Sequence, residues 1–496
     1  MTKQLDVIAK GAGFVIIGMV ASKLFSYLWR LIIAHISSEV YGTFSLGLAV
    51  VGILAPVALI GLNSGVLRFV SFFYGKGDKS KIKGVIKSGL KTTLFSSVVI
   101  GILIFLSADW IAINIFNEPN LIIVLKLMAF AFPFLILSEI LIPSIRALQK
   151  IQYKVFSKDI MDTVFRISLT GLVVFLGYGL FGITVAYVFS VFLTFVLLII
   201  LLEFKVFSIF RAKIKTVFIN RELFRYSLPL MLSAIISKQV FWIDSILIGF
   251  FMRSSDVGIY NTAVPTASLL IILPSAILSL FLPVITAEYA KENKEVIKHV
   301  YLTVTKWVTL SGIPLFLIFF LFSEPILLIL FGLEYVKSAM ALSILALGWF
   351  IFSICWTSSY ILNMIKKTRL IFFIELSGFV IMFIIIYLLV PIYGITGAAV
   401  GTFSSLTIIG ILYLFFSYRN IKIFPFDKRI LKIFVFALFG ICFIYLITYY
   451  IGLRLLIRGI TFLILSGIYI YLLFKYKLVG KEEMKIFRKG MKKIGL

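Results

Sequence analysis

Long apolar runs separated by short polar stretches dominate the chain. They lie near residues 8–36, 40–72, 84–106, 121–145, 158–177, 180–203, 224–251, 257–287, 298–322, 338–363, 369–390, 393–417, 430–450 and 455–474. A continuous run of roughly 20 apolar residues is the length at which a helix crosses a bilayer. A membrane strand would alternate apolar and polar positions, which these runs do not, and a bilayer otherwise admits only helices. The pattern predicts an all-α integral membrane protein with fourteen transmembrane helices.

Composition agrees with the pattern. Of 496 residues, 61% are hydrophobic and 14% charged, too few polar groups to cover a soluble fold of this size. The first run carries Lys10, Lys23 and Arg30 and no small-residue cleavage pattern, so it reads as a span rather than a signal peptide. On the side expected to face outward the longest connections are 107–120 and 323–337, too short for a catalytic domain. A membrane glycosyltransferase or glycan polymerase is therefore disfavoured, and no enzyme is expected. Cys355 and Cys442 sit inside apolar runs, and His35 and His299 are far apart, so neither a disulfide framework nor a metal site is expected.

Charge changes the picture only once it is assigned to position. The balance of 48 Lys+Arg against 21 Asp+Glu, +27 overall, would in a soluble protein point to nucleic acid. With the N-terminus in the cytoplasm, 34 basic residues fall on that side, among them Lys76, Lys79, Lys81, Lys83, Arg211, Lys213, Lys215 and the tail from Lys475 to Lys493. Only Arg253, Lys337, Arg454 and Arg458 fall on the other side. The positive-inside rule then places both termini in the cytoplasm of a multi-pass cell membrane protein. Most of the net charge serves topology and attraction to membrane lipids, and a nucleic-acid partner is not expected.

The sequence also repeats itself. A shift of 215 residues brings Ser22 and Lys23 onto Ser237 and Lys238, Lys76 onto Lys291, Lys79 onto Lys294, Lys83 onto Lys298, Lys91 onto Lys306, Asp109 onto Glu324 and Phe116 onto Phe331. With small slips, SSEVYGTF (37–44) meets SSDVGIY (254–260) and GITVA (182–186) meets GITGA (394–398). The shift covers six helices, an even number, so both copies enter the membrane in the same direction. The expected organisation is an N-terminal lobe over 1–210, a C-terminal lobe over 211–420, and two additional helices with a basic tail over 421–496. Two parallel-repeat lobes around a central cavity suit alternating access. The Gly-rich second span (Gly42, Gly47, Gly52, Gly61, Gly65) and the Pro-bearing eighth (Pro265, Pro274, Pro283) read as gates, or as ordinary small-residue packing.

Ten basic residues remain inside spans: Lys10, Lys23, Arg30, Arg68, Lys87, Lys91, Lys126, Arg166, Lys238 and Lys306. Against them stand Glu139, Asp162, Asp244 and Glu375, with Asp159 at a border. A charge at the bilayer centre costs about 2.5–3.5 kcal/mol or more, so such residues face a cavity or a partner. Lys23 and Arg30, two helical turns apart, share one face. Lys23, Arg30 and Lys238 are expected to line the cavity, with Lys91, Lys306 and Arg68 nearer the cytoplasm. Snorkelling or loop pairing is the competing reading for Lys10, Arg68, Lys87 and Lys126. Asp162 and Arg166, four apart, are expected to form a local ion pair. Glu139 and Glu375 read as charge-balancing groups or as coupling acids. Asp244, six residues from Lys238, lies off its face and needs another partner or a functional role. An uncompensated cationic cavity implies an anionic substrate, and phosphate suits both Lys and Arg.

Four segments carry a family resemblance: SSEVYGTFSLG (37–47), GLNSGVLRFVSFFYGKGD (61–78), RALQK (146–150) and FRYSLPLMLSAI (224–235). They resemble the polysaccharide-transporter branch, with its Wzx-type flippases, of the multidrug/oligosaccharidyl-lipid/polysaccharide (MOP) exporter superfamily. The resemblance implies two six-helix lobes in a V around a cationic cavity that holds a lipid-linked sugar diphosphate. It also implies that the last two helices form a groove for the lipid tail. The multidrug branch carries acidic cation-coupling residues in its first helix, where this chain has Lys23 and Arg30. The expected function is a flippase moving a polyprenyl- or dolichyl-(di)phosphate-linked oligosaccharide from the cytoplasmic to the outer leaflet, in association with glycosyltransferases. The alternative is a MATE-like cation-coupled multidrug exporter, which the acids Asp159 and Asp162 keep open. No cofactor is expected, with Na⁺ or H⁺ as a coupling ion.

Overall fold

The computed structural model describes residues 20–211, 214–239 and 242–426. The spans expected over 430–450 and 455–474, Lys10, Cys442, Arg454, Arg458 and the basic tail lie outside the described residues. Those described are all-helical, with no strand among them.

The helices are α1 (20–34), α2 (Ser38–Leu59), α3 (Leu62–Gly75), α4 (Lys79–Trp110), α5 (Leu121–Ala147), α6 (Ile151–Lys154), α7 (Asp162–Phe175), α8 (Gly179–Leu201), α9 (Asn220–Gln239) and α10 (Ile243–Phe251). They continue as α11 (Ser254–Ser268), α12 (Ile272–Ala290), α13 (Lys294–Leu321), α14 (Ser323–Phe331), α15 (Ala339–Met364) and α16 (Thr368–Ile421). Among the described residues eight helical stretches are long and apolar enough to cross a membrane. One of them, α16, runs through 54 residues and carries two expected spans, joined at Gly394, whose backbone is not helical. The spans expected over 158–177 and 224–251 are divided among shorter helices. The long outer connections expected at 107–120 and 323–337 are largely helical: a π-helix (Ile111–Ile115) extends α4, and α14 fills most of the second. Apolar sequence continues into both segments, so helix formation satisfies backbone groups that a loop near the membrane would leave without partners.

Local chemistry sets the helix starts. The Ser37 side chain accepts the Val40 N–H at 3.1 Å and caps α2. Asp78 caps α4 by accepting the Lys81 N–H at 3.0 Å, and Asn293 caps α13 by accepting that of Val296 at 3.3 Å. The two caps stand 215 residues apart, the offset at which the sequence repeats. The backbone bond from Lys81 holds the exposed Asp78 carboxyl below its ordinary range, so the cap stays charged. Inside the helices, hydroxyls bond back one turn, as Thr93 does to the Gly89 carbonyl, Ser144 to Ile140 and Thr309 to Thr305. This satisfies them where water is absent. Large apolar side chains such as Phe95, Leu106, Phe130 and Phe175 stay exposed, as lipid solvation allows.

The described residues group into two compact units. The first takes those up to Leu269 with Ile326–Leu345 and Phe372–Ser405; the second takes Leu270–Pro325, Ala346–Ile371 and those from Leu406. In the first unit α4 and α5 pack together, α5 on α8, α7 on α8, and α9 on α2 and α3. The grouping cuts across the two repeats, because α9 to α11 pack on helices of the first repeat. The link at 214–219 lies along α4: Val217 N–H donates to the Ser80 carbonyl at 3.2 Å, Lys83 Nζ to that of Ile214 at 3.3 Å, and Ser88 Oγ to Asn220 Oδ1 at 2.6 Å. In the second unit Phe316 stacks on Phe350 with centroids 4.6 Å apart, and Tyr301 hydrogen-bonds Ser358 at 2.6 Å.

The single span expected over 40–72 is broken between α2 and α3 by two successive left-handed residues, Ile60 (φ 51°) and Gly61 (φ 68°). A Cβ on Gly61 would fall on the Ser227 carbonyl of α9. Gly61→Ala combines left-handed strain of about 1–2 kcal/mol with an overpacking cost of about 1–3 kcal/mol, so the melting temperature in detergent should fall by several degrees. An unchanged melting temperature would mean that this close approach is dispensable.

Candidate functional site

α1 presents two faces to different neighbours. Trp29, buried, donates its indole N–H to Thr170 of α7 at 2.9 Å and packs on Phe44 and Tyr187. The other face carries Lys23, Tyr27 and Arg30, spaced four and three residues apart. Tyr27 shares a hydrogen bond with Thr266 of α11 at 2.8 Å, and its ring meets Phe331 edge-on. Arg30, half-buried, donates to the Tyr41 hydroxyl at 3.4 Å, and that hydroxyl donates to the Asn261 carbonyl at 2.9 Å. Two basic residues of α1 thus lie on the face turned toward α11. Among the described residues the partner of Arg30 is a neutral phenol, which leaves its charge uncompensated.

The remaining candidate cations are dispersed. Arg68 on α3 is exposed, and its guanidinium lies 4.1 Å from the Tyr226 ring centroid of α9. Lys91 on α4 is exposed, Lys87 is half-buried, and Lys306 on α13 is half-buried in the second unit. Lys238 falls in the last turn of α9, and its side chain lies outside the described residues. Lys126 pairs at 2.9 Å with Asp109, which sits in the last turn of α4 rather than in the loop expected there.

The acids divide by partner. Asp162 is buried and meets Arg166 at 3.1 Å and Lys158 at 3.5 Å, and it accepts the Thr194 hydroxyl at 3.0 Å. Arg166 in turn faces the rings of Trp29 and Tyr187 at 5.3 and 5.2 Å. Asp159 pairs with Lys154 at 2.7 Å. A spacing of five points side chains well apart on an α-helix, but Val155–Met161 is a π-helix, whose wider turn brings i and i+5 closer to one face. Asp159 and Asp162 are thereby paired with cations of their own segment. Glu139 is half-buried on α5, and Glu375 half-buried on α16.

Asp244 differs from these. It is 2% exposed on α10, accepts the Ser245 N–H at 2.7 Å and lies beside the Tyr260 hydroxyl. Tyr260 also contacts Thr402 at 3.3 Å, and Asn261 Nδ2 donates to Ser245 Oγ at 3.0 Å. Among the described residues no cation lies within 4 Å of Asp244. Sequence reading singled out its charge but missed the polar shell: Tyr260, Asn261 and Thr402 are far from it in the chain. Tyr27 was legible through its helical spacing from Lys23 and Arg30, whereas Tyr41 and Tyr226 offered no such signal.

Comparison with known proteins places this arrangement. The chain shares the fold of an inward-facing multidrug resistance MATE family transporter of the MOP superfamily, with a TM-score of 0.72 (16% identity, 81% of this chain and 94% of that one). The lipid II flippase MurJ, inward closed, gives 0.70 (19% identity, 92% and 99%). Residues 35–340 match the family described as polysaccharide biosynthesis protein, and the chain belongs to that family. Among its relatives is a probable low-salt glycan biosynthesis flippase of Haloferax volcanii, Agl15, 28% identical over 204 residues, 41% of this chain and 43% of that protein.

Proposed function

We propose that the protein is a flippase that carries a polyprenyl- or dolichyl-(di)phosphate-linked oligosaccharide from the cytoplasmic to the outer leaflet for surface polysaccharide or glycan assembly. The carrying observation is Arg30, a guanidinium within a span whose partner is neutral, on the same helix face as Lys23. A charge placed at membrane depth without a counter-ion is suited to an anionic ligand, and phosphate is an anion a guanidinium can grip with two parallel bonds. Lys238 is assigned to the phosphate site by its place in the sequence, and Lys91 and Arg68 draw the head group in from the cytoplasmic side. Alternating access exposes this site to each side of the membrane in turn, and both termini stay in the cytoplasm. Membership in a polysaccharide biosynthesis family and the names of Agl15 and MurJ support this reading.

The direct test is reconstitution into liposomes with a fluorescent polyprenyl-diphosphate-linked glycan. Flipping dependent on the protein, inhibited by the unlabelled lipid and indifferent to cationic drugs, is the expected outcome. Drug export without glycolipid flipping would establish the MATE-like alternative, which the paired state of Asp159 and Asp162 disfavours.

Asp244 is the group we assign to energy coupling, by H⁺ or Na⁺. Its burial without a cation, inside hydroxyl and amide partners, is the setting in which a carboxyl gains or loses a small cation as its surroundings change. Asp244→Asn should abolish the acceleration of flipping by an imposed ion gradient, leaving exchange without a gradient within about twofold of the parent. Full acceleration in that variant would remove Asp244 from the coupling step.

A further inference from the structure

Three residue pairs recur at one offset of 216: Ser38 and Ser254, Gly42 and Gly258, Glu118 and Glu334. In the folded chain their contacts are exchanged between the repeats. Ser38 Oγ donates to Glu334, and Ser254 Oγ donates to Glu118 at 2.5 Å. Each bond is therefore the image of the other: a serine in the first turn of one repeat's helix, a carboxylate from the other repeat. Ser38 opens α2 and Ser254 opens α11, and both are nearly fully buried.

The glycines obey the same exchange. A Cβ on Gly42 would fall on the Ser254 carbonyl, and a Cβ on Gly258 would fall on that of Ser38. The first turns of α2 and α11 cross with backbone against backbone, which only the absent side chains permit. Carboxylates beside these two helix N-termini also meet the favourable end of each helix dipole. Glu118 is presented by the turn after the π-helix, where its own N–H donates to the Ala112 carbonyl at 2.8 Å. Glu334 is presented by the short 3-10 segment Leu333–Ser338. One observation thus ties four separated segments into a reciprocal arrangement that neither repeat can build alone.

We propose that these paired Ser–Glu bonds and the Gly42–Gly258 crossing form a two-fold interlock that holds the outer side of the transporter shut, and that both halves open to release substrate. The inference rests on the alternating-access reading above and deepens it by naming the residues of one gate. Two equal, separately breakable hydrogen-bond clasps suit a gate that must close reversibly, because neither buries an ion pair that would resist opening. The small residues let the helices meet in this state and impose no interlocking side chains on their separation.

The test uses the full chain with Cys355→Ala and Cys442→Ala, and Ala263→Cys as reporter. Ala263 is fully buried on α11 beneath the crossing. In proteoliposomes, an impermeant maleimide applied from the outer side reads gate opening without any substrate. Ser38→Ala with Ser254→Ala should raise the labelling rate about tenfold, and each single change should give an intermediate rate. Gly42→Ala, which forbids the crossing sterically, should raise it at least as much while the protein remains monodisperse. Parental labelling in the double serine variant or in Gly42→Ala would overturn the interlock. Raised labelling together with no flipping of a glycolipid by the parent would leave the interlock standing and overturn the flippase reading instead.

Discussion

Arg30→Ala is expected to slow glycolipid translocation by about one to two orders of magnitude while the protein still inserts and purifies as a monodisperse species. The structural cost is small: the Tyr41 hydroxyl keeps its own bond to the Asn261 carbonyl at 2.9 Å, so removing the guanidinium strands no buried donor. The functional cost is large. A hydrogen bond between charged groups contributes about 1.5–3 kcal/mol, so loss of the contact to a phosphate should slow flipping by roughly 10- to 150-fold. Lys23→Ala should act in the same direction by a smaller factor, since a compact ammonium offers one bond where the guanidinium fork offers two. Arg30→Lys should recover part of the rate by restoring charge without the fork. Wild-type flipping and surface glycan in both alanine variants would sink the cationic-face model.

Asp162→Ala should damage stability rather than transport chemistry. It removes the carboxylate that Arg166, Lys158 and Thr194 converge on, and leaves a guanidinium packed between Trp29 and Tyr187 with its charge uncompensated. Removing one partner of a buried pair costs about 3–5 kcal/mol. A clear drop in melting temperature in detergent is the readout. The double change Asp162→Ala with Arg166→Met should recover most of it, because a long apolar side chain fills the site with no charge to satisfy. If the single variant melts like the parent while ion-coupled transport is lost, the acid belongs to a coupling site and the multidrug reading gains.

These two outcomes separate what the two charge clusters do. The cluster of Lys154, Lys158, Asp159, Asp162 and Arg166 is closed upon itself, each acid matched by a cation of the same segment. On α1 the Arg30 guanidinium is held instead by the neutral Tyr41 hydroxyl. The first arrangement neutralises charge internally, and on the proposed reading the second is completed by an anionic ligand.

Much of the fold was legible in the sequence, because in a bilayer every span must satisfy its backbone internally and show lipid an apolar surface. Run length alone therefore identified helices α4, α5, α8, α13 and α15 and the double-span α16. The break between α2 and α3 was less legible, since Ile60 and Gly61 interrupt helical geometry without interrupting hydrophobicity. The Asp162–Arg166 pair was readable from a spacing of four. The Lys154–Asp159 pair was not, because only a local π-helix brings residues five apart closer to one face.

What the sequence by itself determined is thus the solvent and the helical class. These follow from short-range periodicity and from the cost of charge in hydrocarbon, both properties of composition along one dimension. Only the tertiary structure decided which charges are already matched. It showed Asp244 buried among Tyr260, Ser245 and Asn261, and it exchanged Ser38 and Ser254 between Glu334 and Glu118. Those partners lie from one to nearly 300 positions away, and their meeting depends on how helices cross, which no spacing along the chain encodes.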